Sequence, residues 1–439
     1  MPLRNILLII VTCVVSLMCY QEATHNYYAD IVSETMDIIE DQYVEEVDRR
    51  ALFESAMRGM VSDLDAHSNY ISPDDLRHFD ESLNQEFGGI GIEVEMGEQT
   101  KRLTVVSPLP NTPAFEAGMH AGDVIETIDG EDTLGMPLSD TVDLMRGKPG
   151  EAVELDVRRE GQPELVHFSI KRARIPIESV KGDLRRPDGT WRFYLIDDPR
   201  IGYIRLTNFG DDSVEELRSA LQFKDHPVDA LILDLRGNSG GLLTAAVEIC
   251  DMFIDRGAIV STRGRGRTVK SKYEANAANT IVPQDMPIVV LTNGVSASAS
   301  EIVAACLQDH GRAAVVGERS WGKGTVQNVI RLEGGKSALK LTTASYWRPS
   351  GKNIHRRDNA ADEEDWGVRP NDGLEVKLNS EGLEAMLRQR RDRDVLPVVD
   401  PIDSADAEQP AALDDPQLEK AVEFLQQKLA ESAAKTKKA

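Results

Sequence analysis

Apolar positions along this chain change period three times, and each change marks a different kind of element. Residues 6–20 are almost wholly apolar behind one positive charge, Arg4. From 23 to about 80, Ile31, Met36, Ile38, Ile39 and Tyr43 recur near helical spacing, and Leu52 to Leu64 repeats the pattern, which predicts helices. From 81 to 174 short β-type runs take over. Phe87-Gly-Gly-Ile-Gly-Ile-Glu-Val94 is a glycine-rich lead into a strand. Further strands are expected at Leu103–Val106, Val124–Ile128, Val153–Arg159 and Glu164–Ile170, with a turn at Asp129-Gly130 and a helix over Leu138–Met145. Arg172 to Pro187 reads as a connector.

Beyond it, strand and helix patterns alternate. Arg200–Phe209 is a strand and Asp212–Leu221 an amphipathic helix. Ala230–Leu235 is a continuous apolar run, as in a strand buried on both faces. It enters Arg236-Gly-Asn-Ser-Gly-Gly-Leu242 and then a helix over Leu243–Phe253. A second apolar strand, Ile288–Leu291, precedes a small-residue stretch and an apolar helical run, Ile302–Leu307. Thr325–Ile330 is β-branched and reads as a strand, as does Leu339–Tyr346. Residues 399–416, rich in Asp, Ala and Pro, read as a linker, Asp415–Leu425 as an amphipathic helix, and Lys435–Ala439 as a disordered tail. The fold class is therefore mixed α/β. Its divisions are residues 1–22, a helical segment at 23–80, a β-rich domain at 81–174, an α/β core at 175–380, and a C-terminal linker and helix at 381–439. The helical segment is expected to pack, and dimerisation into a homo-oligomer is a further role open to it.

Composition narrows the partners. The formal charge of −24 argues against nucleic acid and against anionic membrane surfaces. Four cysteines do not make a disulfide scaffold, and their apolar settings predict free thiols. No spacing suits a metal site. The apolar N-terminus reads first as an uncleaved membrane anchor and second as a cleaved export signal; either implies an extracytoplasmic location.

Candidate chemistry concentrates between Asn293 and Gln327. Ser296, Ser298 and Ser300 alternate with Ala297 and Ala299 where a helix should begin. Backbone N–H groups lack intrahelical partners there, so the serines suit capping, but a nucleophile at that place would also find an N–H to hold an oxyanion. A nucleophilic serine needs a base. None of the eight histidines lies in a glycine-rich context, whereas Lys323 stands between Gly322 and Gly324. A lysine serves as a base when burial disfavours its charged form. With Thr325 and Gln327 it would share one strand face, letting the Gln327 amide orient the amine. Gly317 to Lys323 also fits seven positions of a phosphate-binding loop, but Gly324 stands where the magnesium-binding Ser or Thr belongs, and a strand follows instead of a helix.

Ser-Ala-Ser-Ala-Ser-Glu (296–301) followed by Trp-Gly-Lys-Gly-Thr-Val-Gln (321–327) resembles the signature of the carboxy-terminal processing peptidases, or tail-specific proteases. These are serine peptidases with a Ser–Lys dyad. The resemblance implies Ser298, 25 residues before the lysine (323 − 298), as nucleophile, Lys323 as base and Gln327 as its orienting group. Trp321 replaces the usual Phe. Asp234-Leu-Arg-Gly-Asn-Ser-Gly-Gly241 is similar to the family's oxyanion loop, with Ser239 where Pro is common. It implies an N–H donor at Gly240 or Gly241, with Ala299 as the second. Ala117 to Gly130 closely resembles a PDZ domain, which adds a peptide C-terminus as a strand and holds its carboxylate on backbone N–H groups, here Gly89, Ile90, Gly91 and Ile92. Arg146, just past the PDZ helix, is a candidate to report occupancy to the core. Asp65-Ala-His-Ser-Asn-Tyr70, Trp347 to Ile354 and Trp366 to Asp372 extend the likeness over most of residues 30–380. The family implies a crotonase-like core of β-β-α units, protein or peptide substrates with accessible C-termini, and no cofactor. The competing reading is a catalytically inactive PDZ adaptor on a protease-like core.

Overall fold

The structure is a computed structural model that describes residues 2–24, 26–84, 86–97, 100–395 and 413–436. Most of the expected linker and the last three residues lie outside that range. The described chain forms two compact units, residues 1–76 with 327–342, and residues 77–326 with 343–439.

In the first unit, helices α1 (Leu3–Thr24), α2 (Tyr27–Gln42) and α3 (Arg49–Ser62) precede a short strand, β1 (Asn69–Ile71). Asn26 and Asp48 cap α2 and α3 by accepting from Ala29 N–H and Arg50 N–H. Apolar side chains from Leu7 to Val15 are half or more exposed on α1. Among the described residues no helix is long and apolar enough to cross a membrane, so the anchor reading finds no support here.

Helix α4 (Pro73–Asn84) leads into the second unit. There β2 (Glu86–Gly89), β3 (Ile92–Met96), β4 (Leu103–Pro108), α5 (Pro113–Glu116), β5 (Val124–Ile128), β6 (Glu131–Asp132), α6 (Leu138–Met145), β7 (Ala152–Arg158) and β8 (Val166–Lys171) follow in order. An antiparallel sheet β3-β4-β5-β7-β8 buries alternate residues, among them Leu103, Ile125, Leu155 and Ile170, against α5 and α6. The expected connector contains β9 (Ala173–Pro176), which pairs antiparallel with β2 from Glu86↔Pro176 to Gly89↔Ala173. Glycines made β2 hard to foresee. A Cβ at Gly88 would lie 2.1 Å from the Gly147 carbonyl oxygen, so packing rather than β-propensity selected the residue.

After β10 (Val180–Lys181) and the small hairpin β11 (Leu184–Arg185)–β12 (Trp191–Arg192), the core proper begins. Its elements are β13 (Ile201–Leu206), α7 (Ser213–Ala220), β14 (Ala230–Asp234), α8 (Leu243–Phe253), β15 (Ala258–Arg263), β16 (Val269–Glu274), β17 (Ile288–Thr292), α9 (Ala299–Asp309), β18 (Ala314–Gly317), β19 (Thr325–Leu332), β20 (Ser337–Trp347), α10 (Ser380–Asp394) and α11 (Pro416–Thr436). Strands β13, β14, β17 and β18 are parallel neighbours in that order, with β10 antiparallel on the β13 edge. Parallel strands need crossovers, and α7, α8 and α9 lie in them. Leu231 and Leu233 face Ile249, Phe253 and Ile302 on one side. Ala230 and Ile232 face Leu418, Ala421 and Leu425 of α11 on the other. Burial on both faces explains the uninterrupted apolar runs of β14 and β17.

The C-terminal helix is thus one face of the core. Leu425 is fully buried. Leu425→Ala is expected to lower unfolding stability by about 2–5 kcal/mol in a denaturant titration. An unchanged midpoint would mean that α11 does not cover the sheet in solution.

Candidate active site

Three loops leave the carboxyl ends of the adjacent strands β14, β17 and β18, where open α/β sheets place their chemistry. The first is Leu235–Leu242, the second Asn293–Ser298, and the third Glu318–Gly324.

The second loop delivers the serines, and their environments separate them. Ser296 Oγ donates to the Leu235 carbonyl (2.8 Å) and accepts from Asn293 N–H (3.0 Å). Ser300 Oγ donates to the Asn238 carbonyl (2.9 Å). Both are fully buried and stitch the second loop to the first. Ser298 is the N-cap of α9, with φ 56° and ψ −110° and 7% exposure. A non-glycine residue at positive φ costs about 1–3 kcal/mol and persists only where its surroundings impose it. Two neighbours contribute here. Ser298 N–H donates to Glu301 Oε2 (2.8 Å), and the Tyr346 hydroxyl is hydrogen-bonded to the Ser298 side chain. Burial pushes the Tyr346 phenol up to about 12, so it keeps its proton through the working range of a peptidase.

The first loop presses its glycines against this serine. A Cβ on Gly240 (φ 107°) would stand 2.8 Å from Ser298 Cβ and 3.1 Å from Ala299 N. One on Gly241 would fall 2.2 Å from the Phe209 carbonyl oxygen. Glycine is therefore required by close approach at both positions. Asn238 shapes the loop: its Nδ2 donates to the Leu206 carbonyl (2.7 Å) and its Oδ1 accepts from Gly240 N–H (2.8 Å). Arg236 anchors the loop's start, with Asp234 on one side and Asp415 and Gln417 on the other. Burial raises and the Arg236 guanidinium lowers the Asp234 carboxyl, and the balance lies below its ordinary value.

The third loop carries Lys323. It precedes β19 instead of lying in it, so the shared strand face expected for Lys323, Thr325 and Gln327 begins only at Thr325. Lys323 is half-buried, its N–H donates to Glu301 Oε2 (2.8 Å), and Gly324 receives the Tyr346 N–H on its carbonyl (2.7 Å). A Cβ at Gly324 would lie 2.2 Å from His355 N, the packing reason for glycine beside the lysine.

Glu301 closes the arrangement. Its Oε2 accepts from Ser298 N–H and Lys323 N–H, and its Oε1 from Gly322 N–H (2.7 Å) and Ser320 Oγ (2.6 Å). Burial drives its carboxyl up to about 7, against the pull of those four donors. In the first unit, Gln327 Nε2 donates to Thr342 Oγ1 (3.3 Å), which donates in turn to Asp65 Oδ1 (3.1 Å). Asp65 also accepts from His67 N–H, Ser68 N–H and Ser68 Oγ. The Asp65–Tyr70 motif thus secures the strand carrying Gln327.

Residues 200–371 match the model of Peptidase family S41, 104–159 a PDZ domain, and 19–74 the Activating protease CtpB N-terminal domain. The chain is 41% identical over 321 residues to the carboxy-terminal-processing protease of Bartonella bacilliformis, covering 72% of this chain and 70% of that protein. The chain belongs to the carboxy-terminal processing proteases. This family member is a serine-type peptidase with a PDZ domain, and it acts on protein substrates. It is also 34% identical over 330 residues to the carboxy-terminal processing protease CtpB of Bacillus subtilis, covering 75% and 66% of the two chains. A solved photosystem II D1 C-terminal processing protease aligns at 31% identity and TM-score 0.44 over 81% of this chain and 90% of that one. The chain spans between 60% and 72% of the length of the first curated relatives.

Within the PDZ domain of this processing protease, Ile90 is buried and the Gly91 carbonyl accepts from Leu109 N–H (2.9 Å) and Thr112 Oγ1 (3.0 Å). Arg146 ends α6, stacks 5.3 Å from the Phe87 ring centroid, and lines a cleft of about 530 Å³ with Arg77 and Lys148. The groups that sequence reasoning missed are Glu301, Asn238 and Tyr346. The spacing Ser298-x-x-Glu301 is a capping-box pattern and could have singled out Glu301; Tyr346 carries no such signal.

Glu301→Gln keeps one acceptor but turns an NH₂ toward backbone donors. It should lower stability by about 1–3 kcal/mol at pH 5 and remove most activity. The folded value of about 7 lies above the ordinary 4.5, so Glu301's contribution is full below about pH 4.5 and is lost as pH rises through about 7. The stability gap between wild type and Glu301→Gln should narrow between pH 5 and pH 8 in denaturant titrations. A gap that widens with pH would refute this assignment.

Proposed function

We propose that this peptidase cuts protein substrates near their C-termini with a Ser298–Lys323 dyad. The observation that carries the reading is Glu301 Oε2, one oxygen that receives the backbone N–H of both Ser298 and Lys323. In the proposed reaction Lys323, in its neutral form, takes the Ser298 hydroxyl proton as Oγ bonds to the scissile carbonyl carbon. The oxyanion accepts from Ala299 N–H and, in our reading, Gly241 N–H, because Gly240 N–H is occupied by Asn238. Lysine returns the proton to the leaving amine as the C–N bond breaks, and water hydrolyses the acyl-enzyme by the reverse sequence. Gln327 is assigned as the amine's orienting group on the sequence match alone. No cofactor takes part. Export from the cytoplasm belongs to the same proposal and rests on the exposed apolar side chains of α1; fractionation tests it.

Casein cleavage without nucleotide, with fluorophosphonate labelling, separates this reading from an inactive adaptor. Ser298→Ala should abolish both while the protein stays folded. Ser296→Ala and Ser300→Ala should keep far more activity and lose about 0.5–1.5 kcal/mol of stability, because each removes one buried hydrogen bond to a carbonyl, while Asn238 N–H and Ala297 N–H still serve the Leu235 and Asn238 carbonyls. Lys323→Ala should cost at least ~10²–10⁴ in rate, and Lys323→Arg nearly as much, since guanidinium stays protonated. The rate should rise with pH as the lysine loses its proton. Substantial activity in the arginine variant would rule out proton acceptance at this position.

We further propose that the PDZ domain senses substrate tails through the loop Gly89–Ile92, and that Arg146 relays occupancy by a charge-assisted hydrogen bond. Amidating a substrate's C-terminus should slow cleavage. Arg146→Ala should lower turnover on protein substrates with the PDZ domain intact. Equal rates on free and amidated tails would remove the sensing role, and a fully active Arg146→Ala would remove the relay.

A further inference from the structure

A second opening lies on the same edge of the sheet as the three site loops. It is a pocket of about 180 Å³ between the β13 and β14 ends, the turn Asn293–Val295, and helix α10. Val295 and Leu206 line one side, and Met386 and Leu387 of α10 the other. Asn293 Oδ1 accepts from both Gly237 N–H (3.0 Å) and Val295 N–H (3.2 Å), so the pocket wall is continuous with the turn that leads into Ser298.

Arg390 also lines this apolar pocket and is 5% exposed. Its Nη1 donates to Asp183 Oδ1 (3.0 Å), and its plane stacks on Tyr203 with the guanidinium carbon 4.6 Å from the ring centroid. Its Nε and Nη2 are buried and meet no hydrogen-bond partner. Those two nitrogens form the side-on fork of a guanidinium, whose parallel N–H bonds match the two oxygens of a carboxylate. Leaving such donors buried and unpaired is costly. Arg205 is paired with Asp394, and Arg236 with Asp234 and Asp415. Arg390, by contrast, shares the single carboxylate of Asp183 with Arg393.

We propose that this pocket receives the terminal residue of a peptide, its free α-carboxylate on the Arg390 Nε/Nη2 fork and an apolar side chain against Val295, Met386 and Leu387. It would be a second C-terminus receptor, in the protease core and separate from the PDZ loop. The idea deepens the proposed function by adding a subsite for free, apolar-ended tails, and it rests on that reading only for its biological use. Binding itself is independent of cleavage.

The test uses the full chain and two probes, N-acetyl-L-leucine and its amide, followed by calorimetry or ligand-observed NMR. The acid should bind wild type at least tenfold more tightly than the amide. Arg390→Ala should erase that preference. Leu387→Trp should block both probes; this side chain is 56% exposed, so filling the pocket from it does not open the core. Arg146→Ala should leave the preference intact. The proposal is overturned if wild type binds neither probe or both equally, or if Leu387→Trp still binds. It is also overturned if the preference survives Arg390→Ala and disappears in Arg146→Ala, which would place the acid in the PDZ domain. Loss of cleavage in Ser298→Ala bears on the dyad, and the binding results stand apart from it.

Discussion

A single buried carboxylate fixes the relation between the two halves of the site. Glu301 has no cation against it; its four partners are three backbone N–H groups and one hydroxyl. Taking a carboxylate out of water is expensive, and the upward shift to about 7 is the measure of that expense left after hydrogen bonding. Nothing cheaper would do the same work. The N–H groups come from two loops, and an apolar residue at 301 would leave three of them buried and unpaired. Because both Ser298 and Lys323 donate to the same oxygen, a shift of either loop breaks a bond to the other. This geometric coupling also holds Ser298 at a positive φ that a serine would not choose.

The parallel sheet explains why those loops are neighbours at all. Strands β14, β17 and β18 are adjacent, point the same way, and each ends in one of the three loops. Sequence separation between them is large, from Gly240 to Lys323, yet the strand spacing of a sheet brings their ends together. The helices that make the crossovers begin at the site: α8 follows Gly241 and α9 follows Ser298. Orphan N–H groups at the start of α9 are what the oxyanion role proposed for Ala299 N–H draws on.

Much of this was legible in the chain. Helix Leu243–Phe253 and helix Leu138–Met145 have the boundaries their apolar periodicity predicts. The buried strands announced themselves because both faces are covered, and the resemblance carried the serines and the lysine. Other features were not legible, for physical reasons. Strand β2 is glycine-rich because Gly147 packs against it, a contact between residues far apart in sequence. A face shared by Lys323, Thr325 and Gln327 requires the strand to begin at Lys323, but its N–H turns to Glu301 before the ladder begins. Three equivalent-looking serines differ in what their hydroxyls meet and, at Ser298, in a positive φ that no residue pattern signals. Tyr346 lies among strand residues whose alternation says nothing about a hydrogen bond to a serine 48 positions earlier (346 − 298).

The C-terminal segment belongs to the same mechanical system. Arg236 lies at the start of the Leu235–Leu242 loop and donates to Asp234 at the end of β14, and also to Asp415 and Gln417 at the start of α11. All four groups are buried or nearly so. Breaking one partner of a buried pair is costly because the other charge stays behind. Asp415 therefore cannot leave without disturbing the loop that carries Gly240 and Gly241. A helix that begins 118 residues after Ser298 in sequence (416 − 298) is tied to the Leu235–Leu242 loop by one guanidinium. Changes in α11 should for that reason be felt in the Leu235–Leu242 loop before they are felt in the lysine loop, whose anchor is Glu301 and which meets α11 through Gln417 on Glu318.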